Sequence, residues 1–244
     1  MKPRLLTMPH SHYCEKARWA LDLSGVEYIE EAHPPLFHWL ATRRHGGRSV
    51  PVFVHSGKSY TDSGDILRYL DEISAKLYPT ELPLRKEVLQ LEARFDQTLG
   101  PHARRWVYAQ LLPDSALLLT LMTPGTPAIE RLLMPMLLPI FKPLVRKSFG
   151  ISAQSAVRSL DLVNQIFDEV GEELRDGRSY LVGERFTAAD LTFASLAAPV
   201  LLPPQYRGRM PALEHVPQSM RDVVVRLRNT VAGAYALRLF EQHR

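Results

Sequence analysis

Apolar and polar positions set out the first part of the chain as short strands separated by helices. Residues 4–8, RLLTM, form an apolar run ending at Pro9, the pattern of a buried strand. From Ser11 the rhythm changes. Ala17, Leu21 and Ser24 recur at helical spacing, Ser11 can cap the first turn, and glycine suits the exit, which predicts a helix to about Gly25. "EYIEEAH" alternates and predicts a second strand, closed by Pro34 and Pro35, with a helix or irregular segment following to about Arg44. "SVPVFVHSGKSYTD" holds two strand-like runs joined at Ser56-Gly57, a hairpin signal. Ser63 then opens an amphipathic helix with Ile66, Leu67 and Leu70 on one face. The predicted order is β-α-β-α-β-β-α.

That order, two βα units and then a hairpin and a helix, resembles a thioredoxin-like domain spanning residues 1–75. "ISAKLYPTELPLR" has no strong periodicity and two prolines, which predicts a linker at 76–83 and a second, all-helical domain over 84–244. There the strand signals fade. Residues 84–112 are helical in pattern with a bend near Gly100-Pro101, and "SAQSAVRSLDLVNQIFDEVGEELRDG" is a long amphipathic helix. "FTAADLTFASLAAPVLL" reads as a buried helix, and residues 216–243 give one or two more. The apolar stretch 129–150 is interrupted by Pro135, Pro139 and Pro143, which predicts short helices packed over a site or at a subunit contact. Lys142, Arg146 and Lys147 beside it raise a membrane-surface role as the sharper alternative.

Composition narrows the classes. Hydrophobic residues make up 45% and charged residues 23%, as in an ordinary globular protein. Thirty basic against 26 acidic residues leave a net charge of +4, and the basic residues are scattered, which speaks against nucleic acid. Cys14 is the single cysteine, so an internal disulfide is excluded and a reducing compartment is expected. The N-terminal MKPRLLTMPH lacks the apolar run of a signal peptide, and no stretch reaches the ~18 uncharged apolar residues of a membrane span. The expected location is the cytoplasm, without stable membrane insertion.

Candidate chemistry lies at four points. Ser11-x-x-Cys14 stands at the first strand-to-helix turn, where a Cys-x-x-Cys would be a redox motif. Pro51 opens a strand, which belongs at an edge or bulge. If the Val50-Pro51 bond is cis, the Val50 backbone is free to pair with an extended peptide ligand. Asp62-Ser63 stands where a helix begins, so the hydroxyl and free amides suit a carboxylate while Asp62 suits an ammonium group; the simpler reading is a helix cap. Thr187 and Asp190 have capping-box spacing and a structural role, fixing the start of the buried helix.

These four motifs, in this order and at these separations, resemble the cytosolic glutathione transferase superfamily over nearly the whole chain. The resemblance implies a glutathione site on the first domain, no metal, and a homodimer. The Val50 backbone with Pro51 would pair with the cysteinyl unit, and Asp62 with Ser63 would hold the γ-glutamyl end. Ser11 matches the serine that hydrogen-bonds the sulfur in serine-type members, so a hydroxyl and a helix start would favour the glutathione thiolate for attack on a small hydrophobic electrophile. Many members have Asn-Pro-x-Gly-Lys before the Val-Pro, where this chain has "HGGRS". Arg48 is the substitute for the lysine near the glycyl carboxylate, with Arg43, Arg44, Lys58 and His38 as others. Cys14 or Tyr13 is the alternative catalyst, and His10 and His12 could add positive character. Trp106, Tyr108, Met122 and Phe141 are candidate linings of the electrophile pocket. Two other functions stay open: a binding protein of the same fold without catalysis, and glutathione-dependent thiol-disulfide exchange or peroxidase activity through Cys14.

Overall fold

The computed structural model describes residues 2–75 and 77–244; Lys76, the first residue of the expected linker, lies outside the described residues. Strands β1 (Arg4–Thr7), β2 (Ile29–Ala32), β3 (Val52–His55) and β4 (Lys58–Tyr60) form one sheet in the order β2-β1-β3-β4. β1 runs parallel to β2 and antiparallel to β3, and β3 pairs antiparallel with β4. Helices α1 (His12–Leu23), α2 (Phe37–Arg43) and α3 (Ser63–Leu70) complete the predicted order. The hairpin turns on Ser56 and Gly57, both at positive φ (50° and 78°), which matches the right-handed twist of the strands it joins. β3 is an inner strand, not an edge. Pro51 is tolerated because the ladder starts one residue later, at the Leu6–Val52 pair, so no pairing donor is lost.

Helices α4 (Leu82–Gln97), α5 (Leu99–Leu111), α6 (Ser115–Met122), α7 (Ala128–Ser148), α8 (Ala153–Glu173), α9 (Ala188–Leu201), α10 (Gln218–Arg228) and α11 (Val231–His243) make up the rest. α4 begins two residues inside the expected linker. Every residue of α9 is buried, with α1, α4, α5, α10 and α11 packed around it. The chain breaks between α4 and α5 at Thr98, so Gly100 and Pro101 fall in the first turn of α5, where a proline costs no hydrogen bond. Gly100 answers a close approach: a Cβ there would overlap the Tyr13 hydroxyl. The sheet domain and the helices are also joined by a buried charge. Lys16 on α1 reaches Glu92 (3.0 Å) and Asp96 (2.7 Å) on α4, and the Tyr78 hydroxyl donates to Glu92 (2.6 Å).

The proline-interrupted segment departs from its expected form. α7 is one continuous helix of 21 residues with Pro135, Pro139 and Pro143 inside it. The spacing of four places the prolines on one exposed stripe. The carbonyls they leave unpaired, those of Arg131, Pro135 and Pro139, belong to exposed residues, so solvent can satisfy them. The opposite stripe buries Met134, Leu138, Phe141 and Val145. Ile129, Leu132, Met136 and Ile140 remain exposed on the outer side. Among the described residues, no helix is long and apolar enough to cross a membrane.

Candidate active site

A cavity of about 690 Å³ opens between the sheet domain and the helices. Ser11, Val50, Asp62 and Ser63 line it from one side, and Tyr108 and Met122 from the other. Ser11 is the N-cap of α1, in extended backbone at φ −76° and ψ 122°, and its Oγ accepts one long bond from the Cys14 amide (3.4 Å). Among the described residues it donates no hydrogen bond of ordinary length, the one sulfur near enough to attract its proton being that of buried Cys14. The half-buried Ser11 Oγ therefore stands at the positive end of a 12-residue helix with a hydrogen bond to give.

The neighbours of Ser11 are occupied differently. Cys14 is fully buried, and burial pushes its thiol up to about 11, so it stays protonated near neutral pH. The Tyr13 hydroxyl donates to the Asp96 carbonyl (2.8 Å), and burial pushes its phenol upward. The positive character expected of His10 and His12 is not found. Burial drives His10 down to about 4 and His12 to about 3, leaving both rings neutral near pH 7. His10 Nε2 shares a hydrogen bond with the Tyr108 hydroxyl (2.8 Å).

At the start of α3 the cap is Asp62 and not Ser63. Asp62 Oδ1 accepts from the Gly64 amide (2.8 Å), while Ser63 is the first helical residue and is buried. Aspartate in extended backbone satisfies the early amides of a helix better than a residue already helical can. The Val50-Pro51 bond is cis, and Val50 and Pro51 both face the cavity. Arg48 is exposed and outside the cavity wall, as are Arg43, Arg44 and Lys58. Arg43 and Arg44 end α2, Arg48 lies in the loop that follows and Lys58 opens β4, each on a solvent side where a charged head keeps its hydration. Of the five candidates for a carboxylate only His38 lines the cavity, and burial lowers it to about 4, so it is uncharged near pH 7.

On the helical side, Tyr108, Met122 and Phe141 line the cavity and Trp106 does not. Two residues from Tyr108 is more than half a helical turn, so Trp106 faces the interior core and is buried there. Thr187 and Asp190 are buried away from the cavity. Asp190 accepts from the Thr187 amide (2.7 Å) and hydroxyl (2.9 Å), the Leu181 amide (2.8 Å) and the Tyr235 hydroxyl. Much of the cavity wall goes unmarked in the sequence, including the charged residues Arg68, Glu92, Asp96, Arg104 and Arg209. Glu92 and Asp96 carry a weak sequence signal, carboxylates four apart on one helix face. Arg104 carries none. Among the described residues no cluster of three or more His, Cys, Asp or Glu could hold a metal ion.

Known proteins repeat this organisation. Residues 5–77 match the family described as "Glutathione S-transferase, N-terminal domain", and residues 133–214 match "Glutathione S-transferase, C-terminal domain". A probable glutathione S-transferase from Nicotiana tabacum is 38% identical over 71 residues, covering 28% of this chain and 32% of that protein. The match thus spans about a third of the curated relative. Among solved structures, the beta-etherase LigF from Sphingobium sp. strain SYK-6 superposes with a TM-score of 0.63 at 17% identity, covering 98% of this chain and 99% of that one. A theta class glutathione S-transferase from Xanthomonas axonopodis pv. citri, with glutathione bound, gives 0.59 at 18% identity over 97% of both chains. At such identities the structures speak for the fold alone, a thioredoxin-like domain followed by a helical one, while the two family matches occupy the two parts of that fold in the same order. The chain belongs to the glutathione S-transferase superfamily.

Proposed function

We propose that this chain is a glutathione transferase that joins the sulfur of glutathione to a small hydrophobic electrophile. The observation that carries the reading is the Ser11 hydroxyl, free to donate, at the cavity-facing start of α1. Glutathione would enter in extended form. Its ammonium group would meet the second carboxylate oxygen of Asp62, its γ-glutamyl carboxylate the Ser63 hydroxyl and early α3 amides, and its cysteinyl backbone the Val50 main chain. The sulfur would then lie toward Ser11. A donated hydrogen bond and the helix start both favour thiolate over thiol, which lowers the thiol pKa and supplies the nucleophile. With Arg48 and its neighbours in solvent, the glycyl carboxylate would rest on the loop at Ser49 near the cavity rim. We place the chain in the cytoplasm as a homodimer whose sheet domain ends near residue 75 and whose helical domain follows, with detoxification as its role.

Thiol-disulfide exchange through Cys14 fits the geometry poorly, because a fully buried thiol held protonated cannot reach a disulfide. The test is a calorimetric titration with glutathione together with an assay of its conjugation to 1-chloro-2,4-dinitrobenzene. Binding with turnover is the expected result. Binding without turnover of a panel of electrophiles would favour the non-catalytic reading, and no binding at millimolar glutathione would remove the proposal.

A further inference from the structure

Among the described residues, the three cations whose side chains are almost wholly buried all hold carboxylates. Lys16 holds Glu92 and Asp96, Arg18 holds Glu15 and Glu30, and Arg244 holds Glu15 and Asp22. Arg104, on α5 in the cavity wall, makes no ion pair or hydrogen bond among the described residues, and its Nε is buried without a partner. Its guanidinium lies over two rings, 4.1 Å from the centroid of Phe149 and 5.9 Å from that of Tyr13. Ring faces attract a cation but do not satisfy its N–H groups. A guanidinium keeps its charge at any ordinary pH, and a buried charge without a partner is costly. The cavity's own carboxylates lie elsewhere: Glu92 and Asp96 are held by Lys16, and Asp62 caps α3. Beyond Arg104 the wall is mostly apolar, with Val107, Leu111, Leu118, Met122 and Phe141, while Tyr108 and Ser148 add hydroxyls and the exposed Arg209 stands at the rim.

From this arrangement we infer that Arg104 selects electrophiles that join an apolar body to a carboxylate, gripping that carboxylate with its planar fork of donors. The inference deepens the transferase reading and rests on it. Glutathione's own carboxylates are assigned there to α3 and the Ser49 loop, on the sheet domain, whereas Arg104 belongs to the helical side past Tyr13. A matched pair of probes reads the preference: 4-chloro-3,5-dinitrobenzoate and its methyl ester. In each, the glutathione sulfur bonds to the ring carbon bearing chlorine, the carbon–chlorine bond breaks with its electron pair leaving on chloride, and the thiol proton passes to solvent.

Arg104→Leu is expected to lower kcat/KM for the acid about 10- to 100-fold, the worth of a hydrogen bond to a charged group, while changing the ester less than about threefold. Arg104→Lys, which keeps the charge and loses the fork, should fall between. Absorbance titration of the bound thiolate should give the same midpoint in all three proteins. Equal losses on acid and ester, or a thiol midpoint raised in Arg104→Leu, would put Arg104 at the sulfur and overturn the inference. Should either variant fold poorly or either probe react too slowly, calorimetry of wild type with the two preformed conjugates gives the same answer. Tighter binding of the acid conjugate supports the inference, and equal binding overturns it while the transferase reading stands. Failure of the wild type to bind glutathione at all removes both.

Discussion

The start of α9 and the start of α1 use the same capping chemistry and finish in opposite states. At α9 the carboxylate of Asp190 accepts four hydrogen bonds, from two amides and two hydroxyls, and is sealed from solvent. At α1 the Ser11 oxygen accepts one long bond and keeps a proton to give, and its face is the cavity. Asp62 at α3 resembles Ser11, with one carboxylate oxygen on an amide and the other without a partner among the described residues. A helix start whose groups are all paired contributes stability and offers nothing to a ligand. One left short of partners on the rim of a cavity gives up part of that stability and gains a place for a polar group to bind.

Substitutions can break this contrast. Asp190→Ala should destabilise the protein by about 3–5 kcal/mol, since it leaves two amides and two hydroxyls without an acceptor. Denaturant unfolding measures it, and a midpoint near that of wild type would mean the sealed start is not a stabilising device. Ser11→Ala should do the reverse. Turnover should fall about 100-fold, the scale of losing one donor to a developing anion, while stability changes by about 1 kcal/mol or less. Comparable turnover in the variant would remove Ser11 from the chemistry.

Acid sharpens the contrast at the cavity side. His10 and His12 are held neutral by burial, with folded values near 4 and 3 against about 6.5 unfolded. Between those values the unfolded chain binds more protons, so this contribution is complete above pH 6.5 and is lost on acidification. The loss is at most about 1.4 kcal/mol per pH unit for each ring. Unfolding midpoints at pH 7.5, 6 and 5 should decline along that slope, and His12→Gln should flatten it. The smallest effect is expected at Cys14. Cys14→Ala should leave turnover within about twofold and cost only the packing of a small buried side chain. A large loss of activity with the fold intact would return the chemistry to the cysteine.

What the sequence shows plainly is what neighbouring residues decide. The Ser11 cap, the Ser56-Gly57 turn and the Thr187-Asp190 box each depend on a few adjacent positions and stand as read. The choice of Asp62 over Ser63 as cap turns on one residue of backbone geometry, below what spacing can distinguish. Trp106 and Tyr108 look alike as aromatic lining until helix phase assigns one to the core. Arg104 is invisible in the sequence because its distinction is the lack of a partner, a property of the assembled cavity. α7 misleads for a related reason: proline penalties depend on whether the orphaned carbonyls meet solvent, and only the fold decides that.

The proline stripe of α7 also sets where the cavity is stiff and where it yields. A helix lacking three hydrogen bonds along its outer row bends about that row more easily than an unbroken one. Its inner row carries Phe141, Leu144 and Val145, which line the cavity. The opposite wall is anchored by Lys16 between Glu92 and Asp96, where any parting would bare a buried charge. A ligand between the two walls would therefore meet unequal stiffness, a pinned wall on the Ser11 side and a more easily bent one along α7.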